Sequence, residues 1–465
     1  MSHLRFIVIG ITDAPHPWFT PEVMEVVKEG KVFSGGKRHH EIVAPLLPEG
    51  AEWIDITVPL ERVFEQYKQT LPPPSLSGRE QSPIKKITRG REEKESIIVF
   101  ASGDPLFFGF ANTLKREFPE AEMKVFPTFN SLQMLAHRLV MPYHDMRIVS
   151  LTGRPWQEFD RALIERAPKI GVLTDKEHTP AAIAQRMLEY GYTYYNMCVG
   201  EHLGNPEKER VTTLTLEEAA GKEFGMPNCV ILDGRTVERI GIFGIPDSSF
   251  ALLDGREKMI TKMPIRLLTL QALELPTKKV LWDIGACTGS VSIEARLLFP
   301  HLHIEAFEIR PECEAIIKEN ARRFGAMGIN VHIGDFEDSP PALPIREGVI
   351  CSEQASALSL SKVTTPSLIG RAGGESPDAV FIGGHGGKLK EIMAKVVRVM
   401  TPGGVIVMNS VNTPVVEKMT NHRPGSHQLW DEACRELGLR QVPPVHVAID
   451  EYHPIEILKA YKPIL

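Results

Sequence analysis

The chain has 465 residues, more than one ordinary hydrophobic core accommodates, so two or three domains are expected. Its 43% hydrophobic and 24% charged residues describe a soluble globular protein and exclude a disordered one. No run approaches the roughly 18–20 apolar residues that span a bilayer, and a net charge of −6 speaks against a broad nucleic-acid-binding face.

Met1–Gly10 holds only the short apolar run Phe6-Ile7-Val8-Ile9 and no small-residue cleavage site, so it reads as a first strand rather than a signal peptide. The chain then alternates short β-branched runs with helical segments, the pattern of parallel α/β sheets. Strands are expected at Phe6–Ile11, Lys31–Ser34, Ile97–Ala101, Met123–Phe126, Arg147–Leu151, Lys169–Thr174, Tyr194–Val199 and Asn228–Leu232. A second set falls at Val280–Gly285, Ile304–Ile309, Asn330–Gly334, Ala379–Gly383 and Val405–Asn409. Helices are expected at Pro311–Phe324 and Lys388–Met400, and Val445–Ile449 with Ile455–Ala460 reads as two strands closing an edge.

Two segments break this pattern. Leu71–Glu95 combines Pro72-Pro73-Pro74 with a dense run of charges and reads as a surface excursion. Glu337–Ser376, rich in Ser, Pro and Gly, reads as an insertion or a lid. A domain boundary is expected near 235–255, where Gly244-Ile245-Pro246-Asp247 supplies turn chemistry. The six cysteines contain no Cys-x-x-Cys pair, so neither a metal site nor a disulfide framework is expected, and a reducing cytoplasm fits.

The chemistry concentrates at two places. In the C-terminal half a strand ending in Asp283 runs into Gly285-Ala286-Cys287-Thr288-Gly289 and then a helix near Ser290. Glycines let the backbone turn sharply beside a ligand, and the helix N-terminus offers free N–H groups. Cys287 stands where such loops often carry a second glycine. Glu308 ends the next strand, 25 residues after Asp283, where a carboxylate can accept from both ribose hydroxyls. Asp335, in Gly334-Asp335-Phe336, ends the third strand, where an acid can meet an adenine amino group. These parts describe a nucleoside site; an ordinary strand–helix turn and a nicotinamide site use similar ones. In the N-terminal half, Ala101-Ser102-Gly103-Asp104-Pro105-Leu106 makes a rigid turn after a strand, a common feature that also suits a small ligand. His39 and His40 could be a metal pair, but adjacent histidines with no third ligand rarely are.

Residues 244–465 resemble the decarboxylating precorrin-6B C15-methyltransferase family of cobalamin biosynthesis. The resemblance rests on Gly244–Asp247, Met259-Ile260-Thr261-Lys262 with Arg266, Trp282–Ser290, and Pro377–Gly387. It implies a Rossmann-like fold with Thr261 and 285–289 on the amino-acid part of S-adenosylmethionine and Glu308 on its ribose. The insertion at 337–376 departs from the family. Residues 3–240 resemble the precorrin C5-methyltransferases within the tetrapyrrole methylase family, whose two α/β lobes clasp cofactor and macrocycle. The resemblance rests on Gly35–His39, Gly103–Leu106, Ser150–Arg154, Leu173–Asp175 and Val199–Gly204. It implies that Gly103, Asp104, Pro105, Leu106 and Ser131 lie against the cofactor. The family expects a glycine- and proline-rich turn after the first strand, whereas Gly10 is followed here by Ile11-Thr12-Asp13-Ala14-Pro15-His16-Pro17.

The expectation is therefore two methyltransferases in one chain, residues 1–240 for C5 and 241–465 for C15 with decarboxylation of the C12 acetate. Their substrate is a tetrapyrrole, with neither nucleic acid nor membrane as partner, and a homo-oligomer is the expected assembly. Substrate carboxylates call for charge-assisted donors. Candidates are Lys37, Arg38 and Arg154 in the first half and Lys262, Arg266 and His385 in the second, the last three being the catalytic candidates; each is otherwise a solvated surface group. The competing readings are RNA methylation by the C-terminal half, a degenerate N-terminal binding module, and a nicotinamide-dependent oxidoreductase.

Overall fold

The structure, a computed structural model, describes residues 4–70, 96–234, 243–338, 376–411, 425–448 and 454–464. The two expected insertions, save Glu337, Asp338 and Ser376, fall outside them, as do 235–242 at the expected boundary. The chain divides into two compact units. One comprises Met1–Ser150, Lys169–Ala182 and Asn196–Asp233; the other comprises Leu151–Pro168, Ile183–Tyr195 and Gly234–Leu465.

The first unit carries two five-stranded sheets. The first is built from β1 (Arg5–Ile11), β2 (Val32–Gly35), β3 (Glu52–Asp55), β4 (Ile97–Ser102) and β5 (Glu122–Phe126) in the order β3-β2-β4-β1-β5. All its pairings are parallel. β1 and β4 are buried along nearly their whole length because helices cover both faces of a parallel sheet. The second is built from β6 (Arg147–Ser150), β7 (Lys169–Leu173), β8 (Tyr195–Glu201), β9 (Arg210–Leu214) and β10 (Asn228–Gly234) in the order β6-β7-β10-β8-β9. It departs from the expected parallel pattern: β6 and β7 run parallel, but β10 pairs antiparallel with β7 and β9 antiparallel with β8. The hairpin-length connection from β8 to β9 cannot make a parallel crossover. Neither β3 nor β9 is among the strands expected from sequence.

The second unit holds one seven-stranded sheet: β11 (Val280–Ile284), β12 (His303–Glu308), β13 (Ile329–Ile333), β14 (Ala379–Ile382), β15 (Val405–Val411), β16 (Arg440–Val447) and β17 (Ile455–Tyr461). The order is β13-β12-β11-β14-β15-β17-β16, with five parallel strands and an antiparallel pair closing the edge as expected. Side-chain alternation along β11 separates two cores. Trp282 and Ile284 join the layer under helices 389–399 and 426–436, and Leu281 joins the layer with helices 263–272 and 290–298. From β11 the chain winds one way to β12 and β13, then returns to place β14 on the other side. Ligands bind at the carboxyl ends of strands flanking such a reversal.

Candidate functional site

Two glycine loops meet at that reversal. Gly285 follows β11 with φ +79°, and a Cβ there would stand 2.6 Å from the backbone nitrogen of Gly384, which follows β14. Only glycine satisfies both the left-handed backbone and the close approach. Gly383 N donates to Ile284 O at 2.8 Å and ties the loops together. Cys287 has φ +49°, so the residue in the place of a second glycine adopts the conformation that favours glycine. Gly289 (φ +72°) caps helix 290–298.

Two carboxylates hold this loop from below. Asp283 is fully buried; its Oδ2 accepts from Ser292 N (3.2 Å) and Oγ (2.6 Å) at the start of helix 290–298, while Oδ1 has no partner among the described residues. Burial pushes its pKa up to about 6, against the pull of the Ser292 hydrogen bonds. Glu308, at the end of β12, accepts from Cys287 N (2.9 Å) through Oε2 and from Arg310 N (3.1 Å) through Oε1. A carboxylate oxygen has two lone-pair sites, so Glu308 retains acceptor capacity toward the cavity that it lines.

That cavity has a volume of about 1400 Å³. Of the expected residues it is lined by Thr261, Lys262, Gly285, Cys287, Glu308, Asp335, Phe336 and His385. Ala286, Thr288 and Gly289 shape the loop without lining the cavity, and Asp283 lies beneath it. Asp335 Oδ2 is bonded by Lys388 Nζ at 2.7 Å, which holds its carboxyl below the usual range; the same ammonium reaches Glu337 Oε2 at 2.8 Å. Phe336 is largely buried, with its ring edge-on to Trp282 and Phe307. His385, half-buried in the Gly383–Gly387 turn, accepts from Gly387 N through Nδ1 (3.2 Å) and faces Ser426 Oγ through Nε2 (3.4 Å). Burial lowers its pKa, so near neutrality the ring is uncharged with its proton on Nε2. A neutral imidazole donates a hydrogen bond readily but releases that proton only as a costly anion.

Arg266 corrects an expectation. It is 0% exposed, and its guanidinium is consumed inside the protein: Nε bonds Glu294, Nη1 bonds Asp247 Oδ1 (3.0 Å) and Thr261 O (2.8 Å), and Nη2 bonds Ile245 O. It pins segment 245–261 to helix 290–298 and offers no donor to a substrate. Sequence reasoning passed over Lys388 and Asn409. Asn409, near the end of β15, lines the cavity and donates through Nδ2 to Thr269 Oγ1 at 3.0 Å. Its place beside the carboxyl end of a parallel strand is the signal that could have found it.

In the first unit the strand ends also converge. A Cβ on Gly10 would stand 2.2 Å from Gly103 O, and Gly103 N donates to Ile11 O at 2.8 Å, so the end of β1 lies against the 103–105 turn. Asp104 Oδ1 accepts from Leu106 N at 2.9 Å, and Leu106 is exposed. Ser131 opens helix 131–138 behind the Asn130 cap. Asp13 accepts from Arg38 Nη1 (2.6 Å) and pairs with His202 Nδ1 (3.0 Å). Arg38 Nη2 donates to Ser102 Oγ (2.8 Å), which also meets His39 Nε2 (2.9 Å). Burial, assisted by the Arg38 charge, lowers His39 to about 4. His40 stacks on Trp53, centroids 4.1 Å apart. Lys37 and Arg154 are exposed.

Two family descriptions match the chain: Tetrapyrrole (Corrin/Porphyrin) Methylases over residues 5–220 and the precorrin methyltransferase domain over 254–350. The chain is 29% identical to a precorrin-6Y C(5,15)-methyltransferase [decarboxylating] from a Sinorhizobium species, over 89% of this chain and 86% of that one. It is 33% identical to the cobalt-precorrin-6B C(15)-methyltransferase (decarboxylating) of Salmonella typhi, covering 39% of this chain and 76% of that one. It is 27% identical to the cobalt-precorrin-7 C(5)-methyltransferase of Salmonella typhimurium, covering 49% and 98%. A tetrapyrrole methylase region followed by a precorrin methyltransferase region places this chain in the precorrin C(5,15)-methyltransferase (decarboxylating) family.

Proposed function

We propose that the chain acts in corrin-ring biosynthesis, methylating precorrin-6B or its cobalt complex at C5 and C15 and removing the C12 acetate carboxyl as carbon dioxide, to give (cobalt-)precorrin-8. Residues 1–240 serve C5, and residues 241–465 serve C15 and the decarboxylation. The observation that carries this reading is the cavity of about 1400 Å³ at the β11–β14 reversal. It exceeds the roughly 300–1,000 Å³ of a single small-molecule site, which suits a nucleoside donor and a macrocycle side by side.

The lining residues fit S-adenosylmethionine. Glu308 offers acceptors for hydroxyls, the Gly285 and Gly384 loops allow close backbone approach, and Phe307, Ile309 and Phe336 offer apolar wall. When bound, S-adenosylmethionine supplies a methyl group on a positively charged sulfur, with S-adenosylhomocysteine as the product. The donor carries its own leaving group, so the chain's task is alignment and exclusion of water. Gly103–Leu106 and Ser131 hold the cofactor in the first unit; Thr261, Gly285, Cys287 and Glu308 hold it in the second. Lys262 and the Nε2–H of His385 donate to substrate carboxylates. In the decarboxylation the carbon–carboxyl bond breaks with its electron pair staying on the side-chain carbon, which then takes a proton from water to become methyl as carbon dioxide leaves.

Incubating the protein with S-adenosylmethionine and precorrin-6B should yield a macrocycle with two added methyl groups and one carbon dioxide lost, read by mass spectrometry. An unchanged macrocycle with both metal-free and cobalt-bound substrate would refute the proposal.

A further inference from the structure

The loop after β1, where the sequence departs from its family's glycine- and proline-rich turn, does something specific. Asp13 lies two residues beyond the end of β1 and carries two partners: Arg38 from helix 37–43, and His202, which directly follows β8. Gly204 closes the same corner, since a Cβ on it would touch Thr12 at 3.1 Å. Arg38 continues the chain of hydrogen bonds to Ser102, the residue before the Gly103-Asp104-Pro105 turn. A connected polar path thus runs from the ends of β8 and β1 to the end of β4. His202 is held at φ +49°, a left-handed backbone that a non-glycine residue adopts at a cost and that clusters at functional sites.

The pairing fixes the state of the ring. The Asp13 carboxylate can only accept, so His202 Nδ1 carries a proton and donates it, and in the neutral ring Nε2 is then the lone-pair acceptor. Among the described residues Asp13 pairs with this imidazole, Arg38 reaches it through Asp13, and Glu201 precedes it in the chain. Glu201 accepts from Gly225 N through Oε1 (2.5 Å), while its buried Oε2 has no partner among the described residues.

We infer that His202, oriented by Asp13, accepts the proton released in methyl transfer by the first unit. The inference rests on reading that unit as C5-methylating. The electron pair of the ring carbon forms the new bond to the methyl group, and the carbon–sulfur bond breaks with its pair going to sulfur, which becomes a neutral thioether. The methylated macrocycle then carries one surplus proton on the ring nitrogen conjugated to that carbon. His202 Nε2 takes it, and the resulting imidazolium is stabilised by Asp13. Positive charge passes from sulfonium to imidazolium, so atoms and charge balance. Asp13 is a positioning residue in this scheme.

The test uses the full chain and its His202→Gln, His202→Ala and Asp13→Asn variants, with ¹³C-methyl S-adenosylmethionine and NMR of the product to count methyl groups at C5 and C15 separately. For His202→Gln, kcat at C5 should fall about 100-fold, with KM for the macrocycle and calorimetric affinity for S-adenosylmethionine within twofold of wild type and C15 methylation intact. Added imidazole should partly restore kcat at C5 in His202→Ala. Asp13→Asn should lower kcat less. In ¹⁵N-histidine spectra of the wild type, the proton should reside on Nδ1 of His202. A His202→Gln variant with unchanged kcat, or with KM alone raised, overturns the role of His202. A wild type that places no methyl group at C5 overturns the reading of the unit itself.

Discussion

Asp283 places a carboxylate in a fully buried position and, among the described residues, spends only one of its oxygens on partners. Its folded pKa of about 6 lies above the ordinary carboxylate value of 3.8. Between those values the folded state binds more protons than the unfolded one, so its contribution to stability is greatest below about pH 4, falls as pH rises to about 6 and is level above. Asp283→Asn keeps an acceptor for Ser292 and removes the titration. Denaturant melts at pH 4 and pH 7 should show wild type losing roughly 2 kcal/mol relative to Asp283→Asn over that range. An equal pH response in the two proteins would contradict the assignment. At this scale the sequence was informative where spacing along consecutive strands decides, as for Asp283 and Glu308. It could not reveal that Lys388, 53 residues away, occupies Asp335, because that pairing exists only once β13 and β14 are placed in one sheet.

Arg266 shows how an element is held. Its guanidinium joins the 245–261 segment to helix 290–298 through Glu294, Asp247 and two carbonyls. Arg266→Met would strand Glu294, itself fully buried, without its counter-ion. The expected cost is about 3–5 kcal/mol, read as a melting transition of the second unit lowered by roughly 10 °C, with C5 methylation retained at low temperature. A variant with unchanged melting would show that the network is dispensable. The charge of Arg266 was legible, and its burial was not, since a lone arginine on a helix reads equally well as a surface cation. The strands missed, β3 and β9, are both sheet edges. β3 buries only Ile54 and β9 buries no residue fully. A strand with one solvated side and one neighbour lacks the apolar run that marks a central strand.

Across the whole molecule the two methylations should separate. Gly285→Ala forces a Cβ against the Gly384 backbone at 2.6 Å and into a left-handed conformation, displacing the loop that shapes the second site. C15 methylation should fall about 100-fold or more, as a misplacement of about 1 Å costs elsewhere, while C5 methylation proceeds. Loss of both activities in a folded variant would contradict independent sites. The tandem of two α/β regions, the glycine loops and the strand-end acids were readable from local sequence, because turn chemistry and strand periodicity are properties of neighbouring residues. Three matters were decided only in three dimensions: the mixed direction of the second sheet, the burial of Arg266, and the meeting of Asp13 with His202 across 189 residues. Each depends on which distant segments share a hydrogen-bonding edge or a low-dielectric interior, and no local pattern encodes that choice.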